Sequence, residues 1–451
     1  MRFRILLASI ILVPVTILRA QDTLKINFND AVQMALNKNI QLKQEKNNLE
    51  TAVAVKNQSL ANYIPNITAG TSYQNITGLQ FSQVTGSLYS SSQDYLSSNI
   101  TAYYSIFNGL GKLNTLRNSQ WLLESQLDFV EATKQQTIFN VASQYLQVLL
   151  DRQILHIDNE NLNLQKTTLD QIKGFVQAGT KPLGDQLTQE ATVKQLEVTR
   201  IRDENNLRND KAKFSQTLMI QPGIEIDPLE PDWGFQSLLT EKFDLNDLYK
   251  TALDNRPDYK KSMSDQEAAK AALGMARAYH FPQLGLFYQY NSYYSSFSTD
   301  PMSHQVIPFT DQYFKNNKQS IYGFQLNIPI FNQFNTITLK TRARVQMENA
   351  GLAEENAKST IYKDVQTAYL NLLAAKDSYF ATQAQFDAAQ VAKQMQQESY
   401  QLGVSDLVQL SQATQTYVLA AASRAQAQYT LLFQKVILNY YIGTLSPDNL
   451  N

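Results

Sequence analysis

Leu96-Ser97-Ser98-Asn99-Ile100-Thr101-Ala102-Tyr103-Tyr104-Ser105-Ile106-Phe107-Asn108-Gly109 is the stretch whose reading decides the fold. Leu96, Ser98, Ile100, Ala102, Tyr104 and Ile106 alternate with Ser97, Asn99, Thr101, Tyr103 and Ser105. A period of two with one mostly apolar face and one uncharged polar face belongs to a half-buried strand. Upstream, Ile67, Ala69, Thr71 and Tyr73 against Asn66, Thr68, Gly70, Ser72 and Gln74 read as its partner. Leu284, Leu286, Tyr288 and Tyr290, then Tyr322, Phe324, Leu326, Ile328 and Ile330, repeat the pattern with Gly, Gln and Asn between them. Strands are therefore expected over about 66–81, 94–107, 283–295 and 319–331. These lengths suffice for a bilayer, which a tilted strand crosses in about 9–11 residues. A soluble antiparallel sheet would also alternate, but an uncharged polar face opposite an aromatic one favours a membrane wall. Four strands cannot close a barrel, since the smallest membrane barrels have about 8, and lipid tolerates no open sheet edge. The membrane reading thus demands an oligomer in which every subunit lends four strands.

The chain beyond this strand is long and helical, and the same order of residues occurs twice. Ile106-Phe107-Asn108 returns as Ile330-Phe331-Asn332, Tyr145-Leu146 as Tyr369-Leu370, and Gly179 as Gly403, all 224 residues later. Nearer the start the offset is 217: Asn29-Asp30 returns as Asn246-Asp247, Pro65 as Pro282 and Tyr73 as Tyr290. Self-similarity over so long a period marks two structurally equivalent halves. Ile361, Val365, Ala368, Leu372 and Ala375 keep a helical beat, and Tyr362, Tyr369, Leu373 and Phe380 form a second stripe on an adjoining face. Two stripes call for neighbours on both sides, as in a tube or broad bundle. Gly179 and Gly403 sit where a helix C-terminus favours a left-handed residue, and Thr180 and Ser405 are expected to cap the helices that return. The expected organisation is a first repeat over 21–221 with its helical hairpin at 112–219, an inter-repeat segment at 222–245, a second repeat over 246–443 with its hairpin at 336–442, and a tail at 444–451.

Composition agrees with an exported wall. The 451 residues carry 39 Lys+Arg against 40 Asp+Glu and no Cys, which excludes thiolate chemistry and argues against an electrostatic nucleic-acid binder. Arg2 and Arg4 before an apolar run from Ile5 to Leu18 have the form of a secretory leader over residues 1–20.

The duplicated spacing, the Ile106-Phe107-Asn108-Gly109 and Ile330-Phe331-Asn332 junctions, and the turns at Gly179 and Gly403 together resemble the TolC-type outer-membrane efflux family over residues 24 to 445. The resemblance implies a mainly α fold with a β membrane part. In it, duplicated helical hairpins form a periplasmic α-barrel, and four strands per chain complete a twelve-stranded trimeric β-barrel in the outer membrane of a Gram-negative bacterium. It implies a homotrimer that meets outer-membrane lipid and docks with a periplasmic adaptor and an inner-membrane pump. Residues 221–262 and the tail would form a belt around the tube. Carried over residue by residue, the periplasmic gate falls on Asp185, Tyr400, Gln409 and Gln412, and the adaptor-contact tips on Gly179, Thr180, Gly403 and Val404. Gln409 and Gln412 are amides where the family often has Asp, and Ser405 stands where some members carry Arg.

No catalytic constellation is found, so the expectation is a passive duct and not an enzyme, with no cofactor and no metal. His156 and Glu160 have i,i+4 spacing but lack the further ligands a metal site needs. Gly109-Leu110-Gly111-Lys112 lacks the spacing of a phosphate loop. The Asn66, Asn75 and Asn99 sequons fall on expected strands and read as polar wall. A structural or adhesive helical fibre is the alternative, separated from a duct by membrane strands and conductance. Which substrate passes, and which pump class drives it, is not written in these residues.

Overall fold

The structure is a computed structural model that describes residues 23–447 apart from 83–85, 232, 301 and 304. The expected leader, His304 and the last residues of the tail lie outside the described residues. In chain order the elements are β1 (Thr23–Ile26), α1 (Phe28–Lys38), α2 (Ile40–Ala61), β2 (Asn66–Ser82), β3 (Ser87–Phe107), α3 (Gly111–Gln177), α4 (Leu183–Thr217), β4 (Glu225–Pro228), α5 (Phe235–Thr240), α6 (Leu245–Asn255) and α7 (Pro257–Ala278). Next come β5 (Gln283–Ser295), α8 (Phe309–Asp311) running into a π-helical turn (Gln312–Asn316), β6 (Gln319–Asn327), α9 (Asn335–Gln401) and α10 (Leu407–Tyr441). The two long helices have 67 residues each and the two returning helices 35 each.

Two compact units divide the chain, and neither is a sequence repeat. One gathers residues up to Lys43, Thr133–Asn255 and the chain from Ile361 onward; the other gathers Gln44–Ala132 and Arg256–Thr360. Each unit therefore draws on both repeats, because an element buries its apolar face best against its counterpart from the other half.

The strand-bearing unit holds one antiparallel sheet in the order β2-β3-β5-β6. Register puts Ile100 opposite Ala69 and Tyr290, and Tyr288 opposite Ala102 and Tyr322. Since cross-strand partners share a face, Ile67, Tyr73, Ile100, Leu286, Phe324 and Leu326 belong to one apolar face. Much of it is bare in the single chain, Tyr322 being 81% exposed and Phe324 76%, while Phe309 and Tyr313 pack on its end at Ser98, Ser292 and Tyr294. Asn99, Thr101, Gln289, Asn291 and Gln325 lie on the other face. Tyr103, Phe287 and Tyr293 also point to that side, which alternation alone did not explain. Glycine explains two of them: a Cβ on Gly323 would come within 3.1 Å of the Phe287 ring, and one on Gly285 within 2.5 Å of the Tyr103 hydroxyl. The rings cover backbone that carries no side chain of its own. β3 begins at Ser87 rather than 94, because its hairpin with β2 stays paired to Ser82↔Ser87. β6 stops at Asn327, short of 331, where Pro329 can donate no ladder hydrogen bond.

Both strand-to-helix junctions turn on two successive left-handed residues. They are Gly109 (φ +66°) and Leu110 (φ +67°) in the first repeat, and Gln333 (φ +56°) and Phe334 (φ +62°) in the second. The geometry is the same although the second copy has no glycine, and each non-glycine residue there is held at a cost of roughly 1–2 kcal/mol. Gly109 has a further reason: a Cβ would lie 2.5 Å from the Ala278 carbonyl oxygen. Lys112, in the stretch that superficially resembles a phosphate loop, donates from Nζ to the Ser105 carbonyl at 2.5 Å. It is thereby anchored as a junction residue.

The hairpin-bearing unit is centred on an aromatic cluster. Phe28 meets Trp233 at 4.8 Å and Tyr145 at 5.6 Å, and Tyr145 meets Phe214 at 5.8 Å. The buried Tyr145 hydroxyl donates to the Leu229 carbonyl, which ties α3 to the inter-repeat segment, and burial pushes its phenol pKa up. That segment contains the short parallel pair β1–β4, four residues on each side and too brief to announce itself by periodicity.

Candidate functional site

The sequence-derived site lies on the two turns that join the long helices to their returns, all within the hairpin-bearing unit. Both turns close in the same way. Gly179 has φ +74° and Gly403 φ +75°. The Thr180 amide donates to the Phe175 carbonyl at 2.9 Å, and the Val404 amide to the Ser399 carbonyl at 2.9 Å. These bonds satisfy carbonyls that a helix end leaves free.

The caps differ from expectation. Thr180 does not cap α4; its hydroxyl turns back to the Phe175 carbonyl at 2.9 Å. Pro182 occupies the cap position with no side-chain bond. Ser405 does not cap α10 either, because Asp406 does, accepting from the Gln409 amide at 2.8 Å. In each case the returning helix starts further along than the hydroxyl residue, at Leu183 and at Leu407.

Around these turns the expected gate residues separate into two groups. Tyr400 and the first-repeat turn are brought together: the Lys181 ammonium donates to the Tyr400 hydroxyl at 2.8 Å and sits 4.1 Å from the centre of its ring. Phe175 offers Lys181 a second ring at 5.9 Å. Such cation–aromatic contacts contribute about 0.5–1 kcal/mol at exposed positions. Asp185, Gln409 and Gln412 are not part of this contact. Asp185 sits half-buried in the first turn of α4, where a carboxylate is favoured by the helix dipole. Gln409 accepts from Gln396 at 3.2 Å, and Gln412 is exposed. Lys181 is the residue that sequence reasoning missed. The signal was faint: a basic side chain in the first turn, at the position where the second turn has Ser405.

Behind the turns, Gln165, Gln171, Gln397, Tyr400, Leu407 and Thr414 line a small cleft between the hairpins. Outside it, Leu183, Leu187, Leu402, Val404 and Val408 are exposed, Val404 by 79%. His156 and Glu160 form an exposed i,i+4 pair at 3.2 Å on the flank of α3.

The family model for outer membrane efflux proteins matches residues 31–218 and 248–444, one match on each repeat. The chain belongs to the outer membrane efflux protein family. TolC of Salmonella enteritidis is 22% identical over 326 residues, covering 72% of this chain and 64% of the relative, so the matched stretch spans less than two thirds of that protein. Among solved structures, the transmembrane-channel protein CusC superposes with a TM-score of 0.79 at 16% identity, covering 92% of each chain. The MtrE outer membrane channel of Neisseria gonorrhoeae, in its open state, gives 0.76 at 16% identity, over 94% of this chain and 90% of that one. The fold is accordingly the α-barrel plus β-barrel fold of these channels. The chain's place is the outer membrane, within a family of efflux proteins. Among the described residues no helix is long and apolar enough to cross a membrane.

Proposed function

We propose that this efflux-family chain is the exit duct of a tripartite export assembly, passively conducting substrate across the periplasm and outer membrane for a pump in the inner membrane. The observation that carries this reading is the sheet: four strands whose outer edges pair with no other strand among the described residues, with mostly apolar residues on one side and mostly amides and hydroxyls on the other. Free edges in lipid must be paired by neighbouring subunits, and three chains lending four strands each make a closed barrel with a polar lumen. A duct of this kind needs a closed state. The Lys181–Tyr400 contact joins the two hairpins of one subunit at their turns, and with Asp185, Gln409 and Gln412 forms the proposed periplasmic gate. Opening would break this contact by rearrangement of the helices. Gly179, Thr180, Gly403 and Val404, flanked by the exposed Leu183, Leu402 and Val408, are the proposed seat of an adaptor.

The experiment is the mass of the detergent-extracted complex together with its conductance in a planar bilayer. A trimer of low conductance that conducts several-fold more after Lys181→Met or Asp185→Ala supports duct and gate. A monomer that does not conduct removes the barrel, and unchanged conductance in both variants removes the gate.

A further inference from the structure

The α3–α4 hairpin contains a line of polar residues where a packed helix pair ordinarily places apolar ones. Gln144, Asp151, Asp158 and Gln165 follow one another at seven-residue intervals along α3, with Asp203 and Asp210 seven apart on α4. The antiparallel register matches them in pairs: the Asp151 carboxyl is in hydrogen-bonding reach of Asp210, and that of Asp158 of Asp203. The members of each pair are not equivalent. On α4, Asp210 is met by Lys213 at 2.7 Å, and Asp203 by Arg202 at 3.2 Å and Asn206 at 3.2 Å. On α3, Asp151 is 9% exposed and receives one bond, from Gln147 at 2.9 Å. Its other oxygen, Oδ2, and Oδ2 of Asp158 are buried with no donor.

Two facing carboxylates cannot both stay charged at such a site, and an oxygen without a donor is satisfied when it carries the proton itself. We propose that Asp151–Asp210 and Asp158–Asp203 are proton-sharing carboxyl pairs that make this hairpin a pH-responsive element, joined by a carboxyl-to-carboxylate hydrogen bond when protonated and loosened when the proton leaves. The α4 member keeps the charge, beside its Lys or Arg, and the α3 member keeps the proton.

Other nearby charges are engaged elsewhere. Arg152 on α3 turns to Asp227 of β4 at 3.4 Å and to Glu230 at 3.6 Å; Glu225 of β4 pairs with Lys211 at 3.0 Å. On α10, which has only two charged residues, Arg424 lies 4.2 Å from the Phe386 ring centre and Lys435 donates to the Trp233 carbonyl at 3.1 Å. Lys393 of α9 lies 4.3 Å from the Tyr417 ring centre, and Glu160 holds His156.

Burial, then the facing Asp210, pushes the Asp151 carboxyl up to about 7; burial, then Asp203, pushes Asp158 up to about 6. Asp210 moves the opposite way: burial opposes this, but Lys213 and the Asp151 hydrogen bond hold it below the ordinary carboxylate value. A raised value means a contribution fully present below the ordinary carboxylate range and lost as pH rises through about 6 and about 7. Asp210 contributes in the other sense, and its share disappears only when pH falls through its own lowered value. Between mild acid and mild alkali the α3 carboxyls set the sign, and the hairpin weakens as pH rises.

Hydrogen exchange on the full chain in detergent, corrected for intrinsic rates, tests this at acid and alkaline pH. Protection of α3 and α4 around the pairs should fall about tenfold or more from pH ~5 to pH ~8.5, while α9 and α10 change little. Asp151→Asn with Asp158→Asn should abolish the difference, and Asp170→Asn, on the exposed side of α3, should leave it intact. Equal responses in the two hairpins, or a wild-type response in the double variant, would overturn the proposal. Infrared absorption supplies a second readout on wild-type protein alone: a protonated-carboxyl band should persist at pH ~6, where ordinary carboxyls are ionised, and its absence there is equally decisive.

Discussion

The two hairpins share lengths, turns and register, yet they are sealed by different chemistry. At the positions 224 residues after Gln144, Asp151, Asp158 and Gln165, the second hairpin has Ala368, Ala375, Thr382 and Ala389; opposite, Asp203 and Asp210 become Ala427 and Gln434. Ala368 is 1% exposed, and Ala375, Ala389 and Ala427 7% each. Small side chains make a seam from close-packed backbone and methyl groups, whose strength owes nothing to protonation. The first seam depends on where protons reside. One backbone plan thus accepts two kinds of seam, one indifferent to pH and one sensitive to it, and duplication has let the two copies diverge in that respect.

The most severe way to break this contrast is to put a carboxyl into the indifferent seam. Ala375→Asp places it at the position corresponding to Asp151, with Gln434 in the place of Asp210 and Ile437 in the place of Lys213. A buried, unpaired carboxylate should cost about 3 kcal/mol at pH ~8 and clearly less at pH ~5, read from denaturant melts at both pH values. An equal cost at both would mean that the loss comes from crowding alone. The reverse exchange, Asp151→Ala with Asp210→Gln, copies the second seam into the first. It should stabilise by about 1–2 kcal/mol at alkaline pH and lose that gain in acid; a gain that ignores pH would contradict the assignment of the proton.

The smallest expected effects concern what the hairpins share. Gly179→Ala and Gly403→Ala should each cost about 1 kcal/mol, and nearly the same amount, because both turns need a left-handed residue and neither has a neighbour within 4 Å of the new methyl. The caps should then restore a difference. Asp406→Ala loses a side-chain bond and about 1 kcal/mol, whereas Pro182→Ala removes no such bond. Local exchange rates at the two turns distinguish these outcomes.

Much of this architecture was legible in the chain because duplication writes each element twice and alternation marks the strands. Ile106-Phe107-Asn108 and its copy located both junctions, and the glycines located both turns. Lys181 was not legible as a partner of Tyr400, since 219 residues separate them and only the packing of one hairpin on the other joins them. The carboxyl pairs were present as a seven-residue spacing, but a search for apolar stripes passes over polar residues at the same interval. The exchange of Thr180 and Ser405 for Pro182 and Asp406 at the caps turns on a shift of one or two residues, within the ordinary fraying of a helix end.

The unpaired edges of the sheet have a consequence for inheritance. Under the proposed ring of three, every subunit supplies one edge to each neighbour, so a single defective edge opens the whole wall. A chain with a proline inside β6 would therefore be dominant when made together with an intact one. In an equal, random mixture only roughly one ring in eight would contain three sound subunits, and a cell carrying both copies would lose most of its closed barrels while still making half its chains correctly.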